Sequence, residues 1–235
     1  MFQQFRVWAI VMVLTLSTLL MMPVSAIAVS LAPTSESVNI FTVYKVNRAD
    51  QAKTLSDVLK SNESTLPKAK GFLDASILNS QDEGEVITLS QWKNLSNFQT
   101  YATEQNLLNK AAFQIFACQV QHTETREKNL SFGEQDVVMF SQFKMKPNQD
   151  QSDLSNIISQ EMPAVLQMIP GLQWAAMCPS TDKSTIALIA RWQSRNDFSS
   201  LGKEPGFDKE TNYWQTYADN EHGLYDVVKV IQPIN

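Results

Sequence analysis

The chain has 235 residues, with 19 Lys and Arg against 24 Asp and Glu and a net charge of −5. That length suits one large or two small domains, and the acidic balance argues against a phosphate-backbone partner, so nucleic acid is not an expected ligand. No P-loop, GxGxxG or Ser/His/Asp grouping supports nucleotide-dependent or triad chemistry, and no Cys/His cluster has the spacing of a metal site.

Residues 1–28 predict a secretory signal peptide. Arg6 precedes an apolar run from Val7 to Met22, Pro23 breaks that run, and small residues follow that suit cleavage after Ala26 or Ala28. The competing reading is an uncleaved anchor, because the run approaches the roughly 20 residues that span a bilayer; Pro23 favours cleavage. Without Arg6 the chain carries 18 basic residues against 24 acidic ones. The expected location is exported, periplasmic or extracellular, with no membrane contact after cleavage. Cys118 and Cys178 then meet oxidising conditions, where they either pair or remain two buried thiols.

Residues 29–38, VSLAPTSESV, read as a polar linker. NIFTVYKV (39–46) is β-branched and aromatic and predicts a strand. DQAKTLSDVLKSNESTL places Leu55, Val58, Leu59 and Leu66 near helical spacing, with Pro67 and Gly71 closing the helix. GFLDASILN and EVITLSQW form two strands around the turn SQDEG, a second helix starts near Leu95, and FQIFACQV (113–120) supplies a fourth strand. The order β-α-β-β-α-β restarts at DVVMFSQFKM (136–145). A helix closed by Pro170-Gly171 follows, then the hairpin GLQWAAMC and TIALIARW, a longer helical stretch from Asn196, and YDVVKVIQ (225–232).

The two halves align without gaps over 71–98 and 171–198, pairing Gly71 with Gly171, Ala75 with Ala175, Ser80 with Ser180, Asp82 with Asp182, Trp92 with Trp192 and Phe98 with Phe198. Such a repeat predicts a duplicated unit, 39–128 and 129–235. VVMF, VITL and TIALIA are apolar on both faces, and helices cover only one face of such a unit, so the other face is expected to pack on the second copy. That contact removes on the order of 1,000 Å² of apolar surface from water at about 25 cal/mol per Å².

Gly71-Phe72-Leu73, the Ser80–Gly84 turn and Gln91-Trp92, in the run GFLDASILNSQDEGEVITLSQWKNLSNF, resemble the antibiotic-biosynthesis monooxygenase (ABM) family, and the second half resembles a more divergent copy. The resemblance covers about 39–123 and 136–233. It implies an α+β fold, two tandem ferredoxin-like repeats packed sheet to sheet as an intramolecular dimeric α/β barrel. It also implies that Cys118 and Cys178, on opposite edges of their sheets, meet as a disulfide.

In chemistry, the resemblance implies oxidation of an aromatic or polycyclic small molecule without metal or flavin, the protein holding the ring and hydrogen-bonding its oxygen. The family pattern sets a Trp at the end of the third strand, an Asn four residues earlier and a Tyr six later. Trp92 and Trp192 match, Thr88 and Leu188 stand at the Asn position, and Phe98 and Phe198 at the Tyr position. Thr88 and Trp92 share one strand face and are the expected catalytic donors, with Tyr44, Phe98, Tyr101, Phe143, Trp192 and Phe198 as substrate-binding walls. Haem degradation is not expected, since its Trp positions hold Tyr101 and Leu201 and its His positions fall near Ala111 and Thr211. The alternative is a non-catalytic barrel that binds a hydrophobic ligand or a protein partner, with Trp92, Trp192, Phe98 and Phe198 serving packing alone. Further homo-oligomer formation is open. His122 and His222 read as solvated loop residues, and Lys45, Lys144 and Arg191 as solvent-facing charges or contacts for an anionic ligand.

Overall fold

A computed structural model describes residues 28–31, 37–82, 84–107, 113–200 and 213–234. The residues before Ala28, read as a signal peptide, and residues 201–212, read as part of a longer helical stretch, lie outside them. So do Ala111, Leu201 and Thr211.

The first unit runs β2 (Val38–Lys45), α1 (Gln51–Thr65), β3 (Phe72–Ser80), β4 (Glu85–Trp92), α2 (Leu95–Glu104) and β5 (Phe113–Cys118). The second runs β8 (Val137–Met145), α3 (Gln151–Met168), β9 (Leu172–Pro179), β10 (Thr185–Trp192), α4 (Arg195–Ser200) and β11 (Ala218–Ile231). Three short strands complete the set: β1 (Ala28–Ser30), β6 (His122–Thr125) and β7 (Ser131–Gly133). The recurring Gly71 and Gly171 have a steric cause. A methyl group on either would run into the first turn of the following helix, at Asn97 and Asp197 respectively, and Gly71 also holds φ at +79°.

All strands of the main sheet pair antiparallel in the order β5-β2-β4-β3-β11-β8-β10-β9-β6. The same order, fourth-first-third-second, therefore occurs once in each unit. The fourth strands do more than their sequence suggested. β11 pairs with β8 over 218–226 and with β3 of the other unit over 225–231. β5 pairs with β2, the chain bends over 119–121, and β6 pairs with β9 of the other unit. At that bend Cys118 bridges Ser180, Thr181 N–H donates to the Ala117 carbonyl (2.8 Å) and Gln121 N–H to that of Met177 (2.9 Å). With β5 and β6 taken as one bent strand, the sheet closes on itself as eight strands, a number whose interior side chains alone can fill.

Three sequence expectations change here. The fourth strands were expected at 113–120 and 225–232; the first breaks after Cys118 and the second starts at Ala218. The crossing segments carry His122, Glu124, Asn220 and His222 on an outward face, so they lack apolar alternation. β6, within the range read as the first unit, extends the second sheet. The stretch read as a linker begins with β1, whose Val29, with neighbouring Leu31, is buried in the barrel core. Two buried residues are too few to stand out in a polar run.

Phe41 stacks on Phe116 (5.0 Å) and on Phe140 of the other unit (5.2 Å), and Tyr225 meets Phe140 edge-on (6.2 Å). These rings, with Trp174 and the aliphatic residues around them, form a core that belongs to both units. The β1–β7 ribbon caps one end of it: Gln91 Nε2 donates to the Ser30 carbonyl and Trp174 Nε1 to that of Ser131 (3.3 Å). Lys45 and Lys144, at equivalent places in the two units, converge on Glu221 at the other end, beside the Tyr225 hydroxyl that donates to Glu85 (2.6 Å). The lysines are thus engaged by carboxylates. Arg191 likewise pairs with Glu127 (2.6 Å) and Asp136 (3.2 Å).

Cys118 and Cys178 form a disulfide across the bend, with Cα atoms 5.5 Å apart at a sequence separation of 60. It adds a covalent tie where backbone pairing is interrupted. Replacing both cysteines with alanine is expected to lower unfolding free energy by about 4 kcal/mol in the chain-entropy picture, measured by urea denaturation of the two proteins.

Beneath the ribbon, Asn39, Gln91 and Asp74 stand in register on three adjacent strands and face the interior. Asp74 Oδ1 has no hydrogen-bond partner among the described residues, and burial pushes its carboxyl up to about 7. In the unfolded chain the group ionises near its ordinary value of 3.8. The folded state therefore binds the extra proton between those two values, and stability falls as pH rises from about 4 to about 7. Asp74→Asn should flatten that slope and raise the melting temperature at pH 8, as thermal unfolding at both ends of the window will show.

Candidate functional site

Each sheet has an outer face covered by its own helices, and the two faces are built on one plan. Gln51 Nε2 donates to the Ser80 carbonyl (2.6 Å), and Gln151 Nε2 to those of Ser180 (3.2 Å) and Thr185 (2.7 Å), so each first helix is pinned to the same hairpin. Positions one hundred apart are therefore equivalent in the first helices as in the hairpin strands that follow them.

In the first unit Trp92 is fully buried, ringed by Phe72 (5.5 Å), Phe98 (5.8 Å) and Tyr101 (5.0 Å), and its Nε1 donates to Ser90 Oγ (2.9 Å). Thr88, 5% exposed, accepts from Asn62 Nδ2 of α1 (2.9 Å). The Tyr101 hydroxyl meets Thr65 Oγ1 at 2.8 Å. Tyr44, largely buried beside Tyr101, is held protonated with its pKa pushed up to about 12, chiefly by burial and secondarily by its neighbour. These polar groups satisfy one another across the helix–sheet contact. The indole N–H of Trp92, expected as a donor to a substrate, is thus engaged by Ser90 of the same unit, and Thr88 Oγ1, expected as the second donor, accepts from Asn62.

The second unit replaces every one of those partners. Asn62, Thr65, Thr88 and Ser90 correspond to Met162, Val165, Leu188 and Ala190. Trp192, 3% exposed and edge-on to Phe198 (5.2 Å), has an Nε1 with no hydrogen-bond partner among the described residues, because Ala190 offers no acceptor where Ser90 stands. An unpaired buried N–H costs about 1–3 kcal/mol. Leu188 lies mid-strand in β10, between Ser141 of β8 and Met177 of β9, both buried, yet it is partly exposed. The described helices therefore do not cover it completely. Met139, Val165, Phe198 and Trp214 are partly exposed around it, and Phe143 packs against Trp214 (6.1 Å).

The expected walls consequently divide. Tyr44, Phe98 and Tyr101 belong to the first face, whereas Phe143, Trp192 and Phe198 belong to the second, on the opposite side of the barrel. A cavity shared between the halves is also excluded where they meet, since the shared interior is packed core.

Sequence reading missed His222. It lies on β11, directly across from Ser141, not in a loop; His122 is likewise on a strand, β6. His222 is exposed beside the apolar floor, and its Nδ1 lies 3.2 Å from Asn220 Oδ1, while Asn220 Nδ2 donates to Ser141 Oγ (2.7 Å). The hint in the sequence is a lone His in the polar run ADNEH, visible as a site residue only once β11 is known to start at Ala218. A separate groove of about 670 Å³ runs along α1 past Ala52, Leu55, Leu59, Lys60 and Glu63. One helix makes all of it, and its lining includes neither indole nor imidazole.

No family model and no curated protein matches the sequence. Solved structures do match the fold. An anthrone oxidase-like protein superposes with a TM-score of 0.74 at 11% identity, over 89% of this chain and 98% of that one. A candidate monooxygenase from Fusobacterium nucleatum subsp. nucleatum gives 0.57 at 10% identity, over 83% and 94%, and another from Lactobacillus acidophilus gives 0.52 at 10%, over 84% and 96%. The shared feature is the fold, and identities this low speak to fold alone.

The contrast between the faces is testable by exchange. Ser90→Ala should leave the Trp92 N–H unpaired and destabilise the protein by about 1–3 kcal/mol, whereas Ala190→Ser should give Trp192 a partner and hold or raise stability, both read from chemical denaturation.

Proposed function

We propose that this chain is an exported monooxygenase-like protein that takes up an aromatic or polycyclic small molecule bearing an oxygen, and that the outer face of the second sheet is its site. One observation carries the reading: a partly exposed leucine at the centre of a sheet, beside a buried indole N–H with no partner. An apolar floor with few polar groups is the usual make-up of a small-molecule site. A ring system over Leu188, Ala190 and Met139 would replace water on apolar surface, and its oxygen would accept the Trp192 N–H that the protein leaves unpaired.

The reading needs neither metal nor flavin. Once deprotonated, an electron-rich phenol or anthrone can itself reduce molecular oxygen, and the protein's part is to bind, orient and stabilise the anion. The fold supports a monooxygenase-like reading only at the level of architecture. Turnover rests on the second face alone, because the first spends its polar groups on its own packing. That spent first face is the observation favouring the alternative, a non-catalytic barrel that binds an aromatic ligand.

Titrating the protein with anthrones and naphthoquinols, followed by tryptophan fluorescence and oxygen uptake, separates the readings. Binding that weakens at least tenfold, or about 1.4 kcal/mol, in both Trp192→Phe and Ala190→Ser is the expected result; the second variant fills the indole's vacancy without emptying the core. Oxygen uptake accompanying binding supports the enzyme, and binding without uptake supports the alternative. Absence of binding across the series sinks both. Export predicts a mature protein starting near Ile27, because cleavage after Ala26 keeps β1 whole whereas cleavage after Ala28 removes its first residue. Intact mass of the secreted protein reads the difference.

A further inference from the structure

We propose that His222 is the base that removes the proton from the substrate in the second-unit site, with Asn220 and Ser141 as the residues that set its tautomer. This rests on the reading that the outer face of the second sheet binds the substrate.

Three facts place the imidazole. His222 and Ser141 are directly paired on β11 and β8, and Ser141 is directly paired with Leu188 on β10, so all three stand in one row across the outer face. Ala190 and Met139 lie one pleat further along, about 7 Å at roughly 3.3 Å per residue, and β10 lies two strand spacings of about 4.8 Å from β11. The Ala190 position, toward which the Trp192 Nε1 reaches as Trp92 Nε1 does toward Ser90, is therefore on the order of 12 Å from the His222 backbone. Three fused aromatic rings, with the imidazole reaching in from His222, cover that span. A polycyclic substrate can therefore touch both groups at once, its oxygen at the indole and its opposite edge at the imidazole.

The hydrogen bonds decide which nitrogen is basic. Asn220 Nδ2 lies 2.7 Å from Ser141 Oγ and 3.3 Å from the Gln142 carbonyl. A carbonyl only accepts, so this end of the amide must be the NH₂, and the end facing His222 must be the oxygen. Across its 3.2 Å contact, Nδ1 of His222 therefore carries the hydrogen and donates it to Asn220 Oδ1. In the neutral ring the lone pair is then on Nε2, the outer nitrogen, which is the state a base requires.

The step is a proton transfer only. The substrate's O–H or ring C–H bond breaks, its electron pair stays on the substrate as a delocalised anion, and the proton forms a new bond to Nε2, leaving an imidazolium. Charge on the substrate oxygen meets the Trp192 N–H. The first unit has no counterpart to this device: by register, Ile115 stands where His222 does and Thr42 where Ser141 does. Base, tautomer-setting amide and unpaired indole thus occur together on one face.

The test is an anaerobic titration of wild type, His222→Gln and Trp192→Phe with an anthrone or polycyclic phenol whose anion absorbs at longer wavelength than its neutral form. Wild type should develop the anion band on binding. His222→Gln should bind within about threefold of wild type yet show about tenfold less anion, since the general base is gone. His222 is exposed, so unfolding midpoints should match. An equal anion band in His222→Gln, or none in wild type despite binding, overturns the proposal and leaves the binding site standing. Failure of wild type to bind any of the series removes the site and the base together.

Discussion

The architecture depends on two strands that each belong to both sheets. β11 completes its own sheet with its first half and joins β3 with its second; β5 and β6 do the same toward β9. Without those crossings each sheet would end in unpaired backbone donors and acceptors at the margin of an apolar face. With them, the sheet has no free edge along the shared core, and Phe41, Phe116, Phe140 and Tyr225 can be buried from both sides. The disulfide stands at the bend between β5 and β6, where the backbone ladder is interrupted and a covalent tie contributes what hydrogen bonds do not.

A core held in common frees the outer faces to differ. Stability of the barrel needs the inner residues of both units, but the buried side-chain hydrogen bonds between helix and sheet lie within one unit, even though Ile231 of β11 also packs on the first face. In the first, Asn62 with Thr88, Thr65 with Tyr101 and Ser90 with Trp92 knit helices to sheet by hydrogen bonds among buried groups. In the second, Met162, Val165, Leu188 and Ala190 leave an apolar contact that does not close over Leu188. The same strand position therefore carries a structural indole in one unit and an unpaired one in the other. Polar groups that satisfy each other make a rigid contact with nothing left to offer a ligand.

Much of this arrangement was legible. The repeat put Trp92 and Trp192, and Phe98 and Phe198, on matching faces, and the structure keeps them there. Matching the family pattern favoured the first unit because Thr88 is polar. In a buried space, however, a polar residue beside Asn62 is a hydrogen-bond partner before it is a catalyst, and the sequence does not show that pairing. His222 was invisible for a different reason. The strand that carries it has polar residues on its outer side and crosses between sheets, so its alternation is broken and it reads as a loop.

The meeting of the two cysteines was implied by the family resemblance alone; by itself, the sequence determined the order of strands and helices in each half and the packing of their apolar faces. These follow from local signals: strand and helix periodicity, Gly and Pro at element ends, and strands apolar on both sides. Only the tertiary structure decided how the sheets join, which face is closed and which nitrogen of which histidine is basic. Those depend on register across strands far apart in the chain, and on whether a buried N–H meets an oxygen or a methyl. Periodicity within one segment carries neither.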